Sequence, residues 1–389
     1  MLIEHNPSLC QSIEFDGQVP QSLDGISTDG VKNIITVFER QIDDELHPGA
    51  QLVVLRNGHV VVDLYGGYTD LGKRQLVNQE SPFMAFSITK PLISACVFRL
   101  IDNGQIELDA PVEQYWPEYG TKGKEKTTIR QVLLHQAGIP RRGLLYQIKN
   151  VSDWEAVTEN IANQKSVYPP GSKTAYHTLN FGYILGEIVR RVSGRPIEEY
   201  LNTEFLIPMG LHHTDLKIKD LQDKSYPHLY SGTIGHQFVA WLFNSPNFRQ
   251  AVIPASSLHS TARDLAIIFQ MFLNEGFYAG KKYLQPESIN LATSLAYEGI
   301  DESLGRTTRW GYGFHIGGDH ELNPTLPDGM GYRSSVNTFG HFGQRTSMAW
   351  ADKSARLVVV FLCNRFLSGI DYKKRLQEIS DAVWSALDE

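Results

Sequence analysis

Three cysteines in 389 residues, at positions 10, 96 and 363, are too few and too scattered to form a disulfide framework. Cys96 and Cys363 stand in the apolar runs SACVFRL and VVVFLCN and read as small buried hydrophobes in a reducing compartment. Long apolar runs are missing: nothing reaches the roughly 18 residues of a membrane helix, so no membrane span is expected. The opening MLIEHNPSLCQSIEFDG carries early acids and no apolar stretch, so no secretory signal peptide is expected and the location reads as cytoplasmic. Basic clusters are also scarce. A net charge of −7, from 36 basic and 43 acidic side chains, gives no electrostatic reason to bind nucleic acid or an anionic membrane surface. The stretch Lys122–Lys126 is broken by Gly123 and Glu125 and reads as a solvated loop. Familiar chemical motifs are lacking as well. There is no Gly-x-Ser-x-Gly, no His-Glu-x-x-His and no Gly-x-x-x-x-Gly-Lys. His212-His213 and His315 with His320 have no metal-ligand partners nearby in sequence, so no metal and no cofactor are expected.

What is present is ordinary globular material. Hydrophobic residues make up 42% and charged residues 20% of a chain long enough for two lobes sharing one interface. Val31, Ile34, Ile35, Phe38 and Ile42 recur at helical spacing, so a helix is predicted over Val31–Leu46, stopped by His47-Pro48-Gly49. QLVVLR and HVVVDLYGG flank Asn57-Gly58, a strong hairpin signal. The middle reads as mostly helical, with helices over Ser87–Asn103, Thr128–His135, Ser152–Asn163 and Asn180–Val192. Another runs from Ser260 to about Asn274. Strand-like segments then return as WGYGFHI, FGHFGQRTSMAWAD and RLVVVFLCN, the last two joined by a turn at Asp352-Lys353-Ser354, and Ile370–Leu387 closes the chain as a helix.

The most economical assembly is α+β: one antiparallel sheet from the early and late strands, flanked by the terminal helices, with the helical middle inserted. The expected division is residues 1–80 plus 256–389 for the sheet and 81–255 for the helical domain. His212–Pro254 is aromatic-rich and weakly periodic; it fits either a lid or a loop packed by its own rings.

Three short patterns carry candidate chemistry. Ser87-Ile88-Thr89-Lys90 places a hydroxyl and an ammonium one turn apart on a helix start. The helix dipole and desolvation there both favour a neutral lysine that takes the serine proton. Alone, the pattern also fits a surface serine beside a solvated lysine, but PFMAF before it and PLISACVF after it make an apolar setting. Tyr176 precedes the helix at Asn180; alone it reads equally as a packed ring with a bonded hydroxyl. In Gly340-His341-Phe342-Gly343-Gln344, paired glycines suggest close backbone approach to a ligand, or a kink at a sheet edge.

Taken together, in this order and spacing, the three resemble the serine β-lactamase and penicillin-binding-protein superfamily, nearest its class C β-lactamase and family VIII carboxylesterase branch. The likeness spans roughly Gly49–Arg365 and includes LLHQAGIP, PPGSKTAY, IPMGLHHT, IPASSLHSTARDLA and WGYGF. It implies a β-lactamase-like fold in which Ser87 is acylated, Lys90 is its base and Tyr176 shuttles protons. It implies that His341-Phe342-Gly343 corresponds to the Lys-Thr-Gly element, and that the N–H groups of Ser87 and Gln344 form the oxyanion hole.

Two departures bear on substrate. Thr178 stands where β-lactamases carry Asn, and His341 stands where they carry the lysine that pairs with the antibiotic carboxylate. Both point from β-lactams towards esters. The expected function is a serine carboxylesterase on a small-molecule ester, with amides open. The alternatives are a β-lactamase or D-Ala-D-Ala carboxypeptidase, and a non-catalytic binding or assembly member. The sequence sets no oligomeric state.

Overall fold

The computed structural model describes residues 10–11, 22–72, 75–140 and 143–387. Most of the opening segment read above for a leader therefore lies outside the described residues. Helix α1 (Thr28–Asp43) starts three residues before the expected position because the Ser27 hydroxyl caps it, accepting the Gly30 N–H at 3.0 Å. It also ends three residues early, where Glu45 takes a left-handed φ of 54°. Strands β1 (Gly49–Arg56) and β2 (His59–Asp70) form the expected hairpin, with Asn57 and Gly58 both at positive φ, 52° and 84°.

The late strands are β3 (Tyr297–Asp301), β4 (Arg306–Trp310), β5 (His315–Ile316), β6 (Thr338–Phe342), β7 (Met348–Asp352) and β8 (Leu357–Cys363). Among the described residues they join β1 and β2 in one ten-stranded sheet, in the order β2-β1-β8-β7-β6-β5-β4-β3 with short strands at the β2 edge. These pairings are antiparallel, and β8 runs against β1 from Leu357↔Arg56 to Cys363↔Ala50. The fold is thus the expected mixed one, a sheet closed by segments from both ends of the chain.

Alternation along β8 shows how the sheet is sandwiched. Leu357, Val359, Phe361 and Cys363 pack under α1 and the C-terminal helix α6 (Gly369–Ser385), against Phe38, Leu376 and Trp384. Val358, Val360 and Leu362 face the other way, into a core shared with the helical middle. That core holds α2 (Thr89–Asp102), α3 (Asn180–Ser193) and α5 (Ala262–Leu273). Each such buried side chain contributes roughly 1.5–3 kcal/mol. Cys96 and Cys363 are buried free thiols; the side chain of Cys10 is not among those described.

Four sequence expectations need correction. WGYGFHI is not one strand: Gly313 at φ 86° makes a corner between β4 and β5. FGHFGQRTSMAWAD is two strands, β6 and β7, joined by a turn at Arg345 with φ 51°. The aromatic-rich stretch contains helix α4 (Ile234–Asn244), hidden from periodicity because it is apolar on both faces. Ala240 and Phe243 pack inward, while Phe238 and Trp241 stay exposed and stack at 5.6 Å. Finally, Lys124 is not solvated. Its buried ammonium donates to the carbonyls of Thr121, Ala162 and Gln164 at 3.0, 3.0 and 2.6 Å, and burial brings its pKa down to about 8.

Candidate active site

The Ser-x-x-Lys segment sits between the sheet and the helical core. Phe83–Met84 pairs with His259–Ser260, and the Ala85 N–H donates to Leu258 O at 2.7 Å. The chain then bends sharply. Phe86 adopts φ 50°, rare for a bulky residue, and its buried ring is pinned by Phe243 and Phe366 at 5.1 and 5.5 Å. Ser87 therefore lies in a 3₁₀ turn, Phe86–Ile88, just ahead of α2, and not inside the helix as expected.

Lys90 follows in the first turn of α2, wholly buried. Its Nζ lies 3.1 Å from Ser87 Oγ, from Thr178 O and from Ala255 O. No carboxylate is among these neighbours. Burial holds the Lys90 pKa well below that of a free lysine. A neutral amine has two N–H donors and one lone pair. In that form, with the two carbonyls taking the donors, the lone pair is left for the Ser87 hydroxyl.

Tyr176 completes the group. Its ring lies 4.7 Å beneath Lys90 Nζ, and its phenol interacts with the Ser87 hydroxyl. Burial pushes the phenol pKa up, and the Ser87 contact offsets only part of this. The segment carrying Tyr176 is gripped from both sides. His135, itself at φ 60°, accepts the Ala175 N–H through its carbonyl at 3.0 Å and the His177 N–H through Nδ1 at 3.2 Å. Opposite, Asp301 accepts the Tyr176 N–H at 3.0 Å, and Trp310 stacks on the phenol ring at 5.5 Å.

His341, on β6, is 2% exposed and stands near Tyr176, His315 and Trp310. Its Nδ1–H donates to Phe342 O at 3.0 Å, so Nε2 carries the lone pair, buried and unpartnered. Burial holds it well below the usual imidazole range and therefore neutral. His135, His177 and His315 are likewise buried and depressed, chiefly by burial. Among the described residues no cluster of His, Cys, Asp or Glu is arranged to hold a metal ion.

The turn after β6 brings Gly343 against the bend that precedes Ser87. The Gly343 N–H donates to Ser347 O at 2.8 Å, and the next residue, Gln344, is exposed. A Cβ on Gly343 would meet Ala85 O at 2.9 Å, so the close approach forecast from the glycines is to the bend before Ser87. On the far side of this turn, Arg345 Nη1 reaches His236 of α4 at 3.0 Å. Thr178 enters through its backbone carbonyl on Lys90.

The structure thus brings Ser87, Lys90, Tyr176, Thr178, His341 and Gly343 together, with Gln344 at the edge. Sequence reasoning singled out neither Ala255, His135, Trp310 nor Asp301. Three of these lay inside motifs quoted above, IPASSLH, LLHQAGIP and WGYGF; nothing marked Asp301.

The beta-lactamase family model matches residues 35–383, most of the chain. The chain belongs to the beta-lactamase family. Within it, the chain is 27% identical to the "Esterase/beta-lactamase LipL" of Mycobacterium tuberculosis over 366 residues, 86% of this chain and 81% of that protein. A penicillin-binding protein homologue from Caulobacter crescentus superposes with a TM-score of 0.79 at 28% identity, covering 93% of this chain and 99% of its own. A family VIII carboxylesterase does so with the same score of 0.79 at 26% identity, and the same coverage of 93% and 99%. The beta-lactamase fold is therefore this chain's fold, and no helix among its described residues is long and apolar enough to cross a membrane.

Proposed function

We propose that this member of the beta-lactamase family is a serine hydrolase, a carboxylesterase that forms an acyl-enzyme on Ser87. The observation that carries the reading is the Lys90 amine, buried without a carboxylate and held by two carbonyls 3.1 Å away, with Ser87 Oγ at the same distance.

The steps follow from these atoms. Ser87 gives its proton to Lys90 as Oγ bonds to the ester carbonyl carbon. The oxyanion is received by the N–H groups of Ser87 and Gln344. When the carbon–oxygen bond to the alcohol breaks, the alkoxide takes a proton from the Lys90 ammonium, relayed by the Tyr176 phenol. Water then attacks the acyl-enzyme, its proton passes to Lys90, and Ser87 leaves with a proton restored. Tyr176 serves as a neutral relay, since burial opposes a resting phenolate.

Ester over β-lactam is supported by the residues that stand near the Ser87–Lys90 pair. Thr178 has no side-chain amide, and the His341 imidazole is neutral and buried, so neither offers what an antibiotic's amide and carboxylate need. LipL carries both activities in its name, so both belong in the test. The decisive experiment is intact-mass analysis after a fluorophosphonate, with a panel of p-nitrophenyl esters, nitrocefin and a D-Ala-D-Ala peptide. One adduct on the protein and none on Ser87→Ala supports the reading; an adduct on another serine ends it.

A further inference from the structure

Asp301 is fully buried at the end of β3. Both carboxylate oxygens are occupied. Oδ1 accepts the backbone N–H groups of Tyr176, Ser303 and Leu304 at 3.0, 2.9 and 3.0 Å. Oδ2 accepts the indole N–H of Trp310 at 3.2 Å. That indole lies nearly parallel to the Tyr176 ring, with 10° between planes. The backbones join too: Thr174 bridges to Asp301, and the Glu302 N–H donates to Thr174 O at 3.0 Å.

One side chain thus holds both the backbone of Tyr176 and the surface against which its ring rests. We propose that Asp301 is a positioning residue that sets where the Tyr176 phenol stands against Ser87. This rests on the reading of Tyr176 as the proton relay. Four N–H donors converge on two oxygens, and only a carboxylate meets them without adding a donor of its own. Asparagine has the same shape, but its NH₂ would face either the indole N–H or the backbone N–H groups. The Asp301 charge also disfavours ionisation of the phenol, in the same direction as burial. The sheet's edge hairpin, β3 to β4, thereby orders a residue that belongs to the helical middle.

The test is a double-mutant cycle of Asp301→Asn with Tyr176→Phe, read on a p-nitrophenyl ester. In the wild-type background, Asp301→Asn should lower kcat by about tenfold or more with KM within about twofold. In the Tyr176→Phe background the same change should cost less than about twofold. Equal cost in both backgrounds would mean that Asp301 acts only on the fold and would overturn the proposal. Trp310→Phe keeps a ring under Tyr176 and deletes the indole N–H. It should repeat the pattern at about threefold or more, and carries the cycle should Asp301→Asn not fold. Fluorophosphonate labelling separates the two levels. If Ser87 in the wild type does not label, the serine-hydrolase reading falls and takes this proposal with it. If it labels and the cycle is additive, only the role of Asp301 falls.

Discussion

A side chain on Gly343 would meet the carbonyl oxygen of Ala85 at 2.9 Å, closer than packed atoms tolerate. The turn that carries the Gln344 N–H is thus seated against the bend that presents Ser87. Gly343→Ala must push the two apart by a few tenths of an ångström. Turnover should fall about tenfold to a hundredfold, in keeping with a displaced oxyanion donor, while thermal stability changes little. Esterase kinetics beside a melting curve check this, and an unchanged kcat would remove the turn from the mechanism.

Lys90→Ala and Tyr176→Phe should each cost about two to four orders of magnitude in kcat, and the double mutant should be much less than additive. In the proposed mechanism the two groups serve one proton path through Ser87. If Tyr176 only packs, Phe preserves the ring and turnover stays within about threefold of wild type.

Lys90 also sets a trade between stability and activity. Its folded pKa lies well below the 10.5 of a free lysine, so below that value the unfolded chain binds a proton that the folded chain refuses. Stability therefore rises with pH across the window between the depressed folded value and 10.5. Lys90→Met should raise the melting temperature at pH 7 by about 2 °C or more, with the gain shrinking towards pH 10. A variant that melts lower than wild type at pH 7 would contradict this.

The buried imidazoles act in the same sense at acid pH. His177 is held down to about 4 and His259 to about 3, both chiefly by burial, and His135, His315 and His341 lie well below 6.5. Between pH 6.5 and about 4 the unfolded chain takes up protons that the folded one does not, so stability is lost as pH falls. Melting curves from pH 7 to 5 should show a steep decline, and His177→Gln should flatten it. A flat profile would mean these imidazoles are already charged in the fold.

Short-chain esters should exceed nitrocefin in kcat/KM by at least about tenfold, or about 1.4 kcal/mol of barrier. The neutral, buried His341 leaves an antibiotic carboxylate without a cation. Equal rates on the best ester and on nitrocefin would reverse the assignment.

The sequence by itself determined the spacing of the proposed nucleophile and base and most of the scaffold. Ser87 and Lys90 are three residues apart, so the 3₁₀ turn that runs into α2 keeps them close in space. The same holds for the Asn57-Gly58 hairpin and for α3, whose signals are periodicity and turn residues over a few positions. Tyr176, Thr178 and His341 were legible only as parts of a family pattern. Tertiary structure decided the rest, because the deciding contacts join residues far apart in the chain. The Lys90 pKa is held well below that of a free lysine because tertiary packing buries it, with the carbonyls of Thr178 and Ala255, 88 and 165 positions away, as its neighbours. Tyr176 is held by Asp301, 125 positions on, at a hairpin that carried no signal. Helix α4, apolar on both faces, could be told from a loop only once Phe86 and Phe366 lay beneath it. Periodicity records which face a segment buries; it does not record what that face meets.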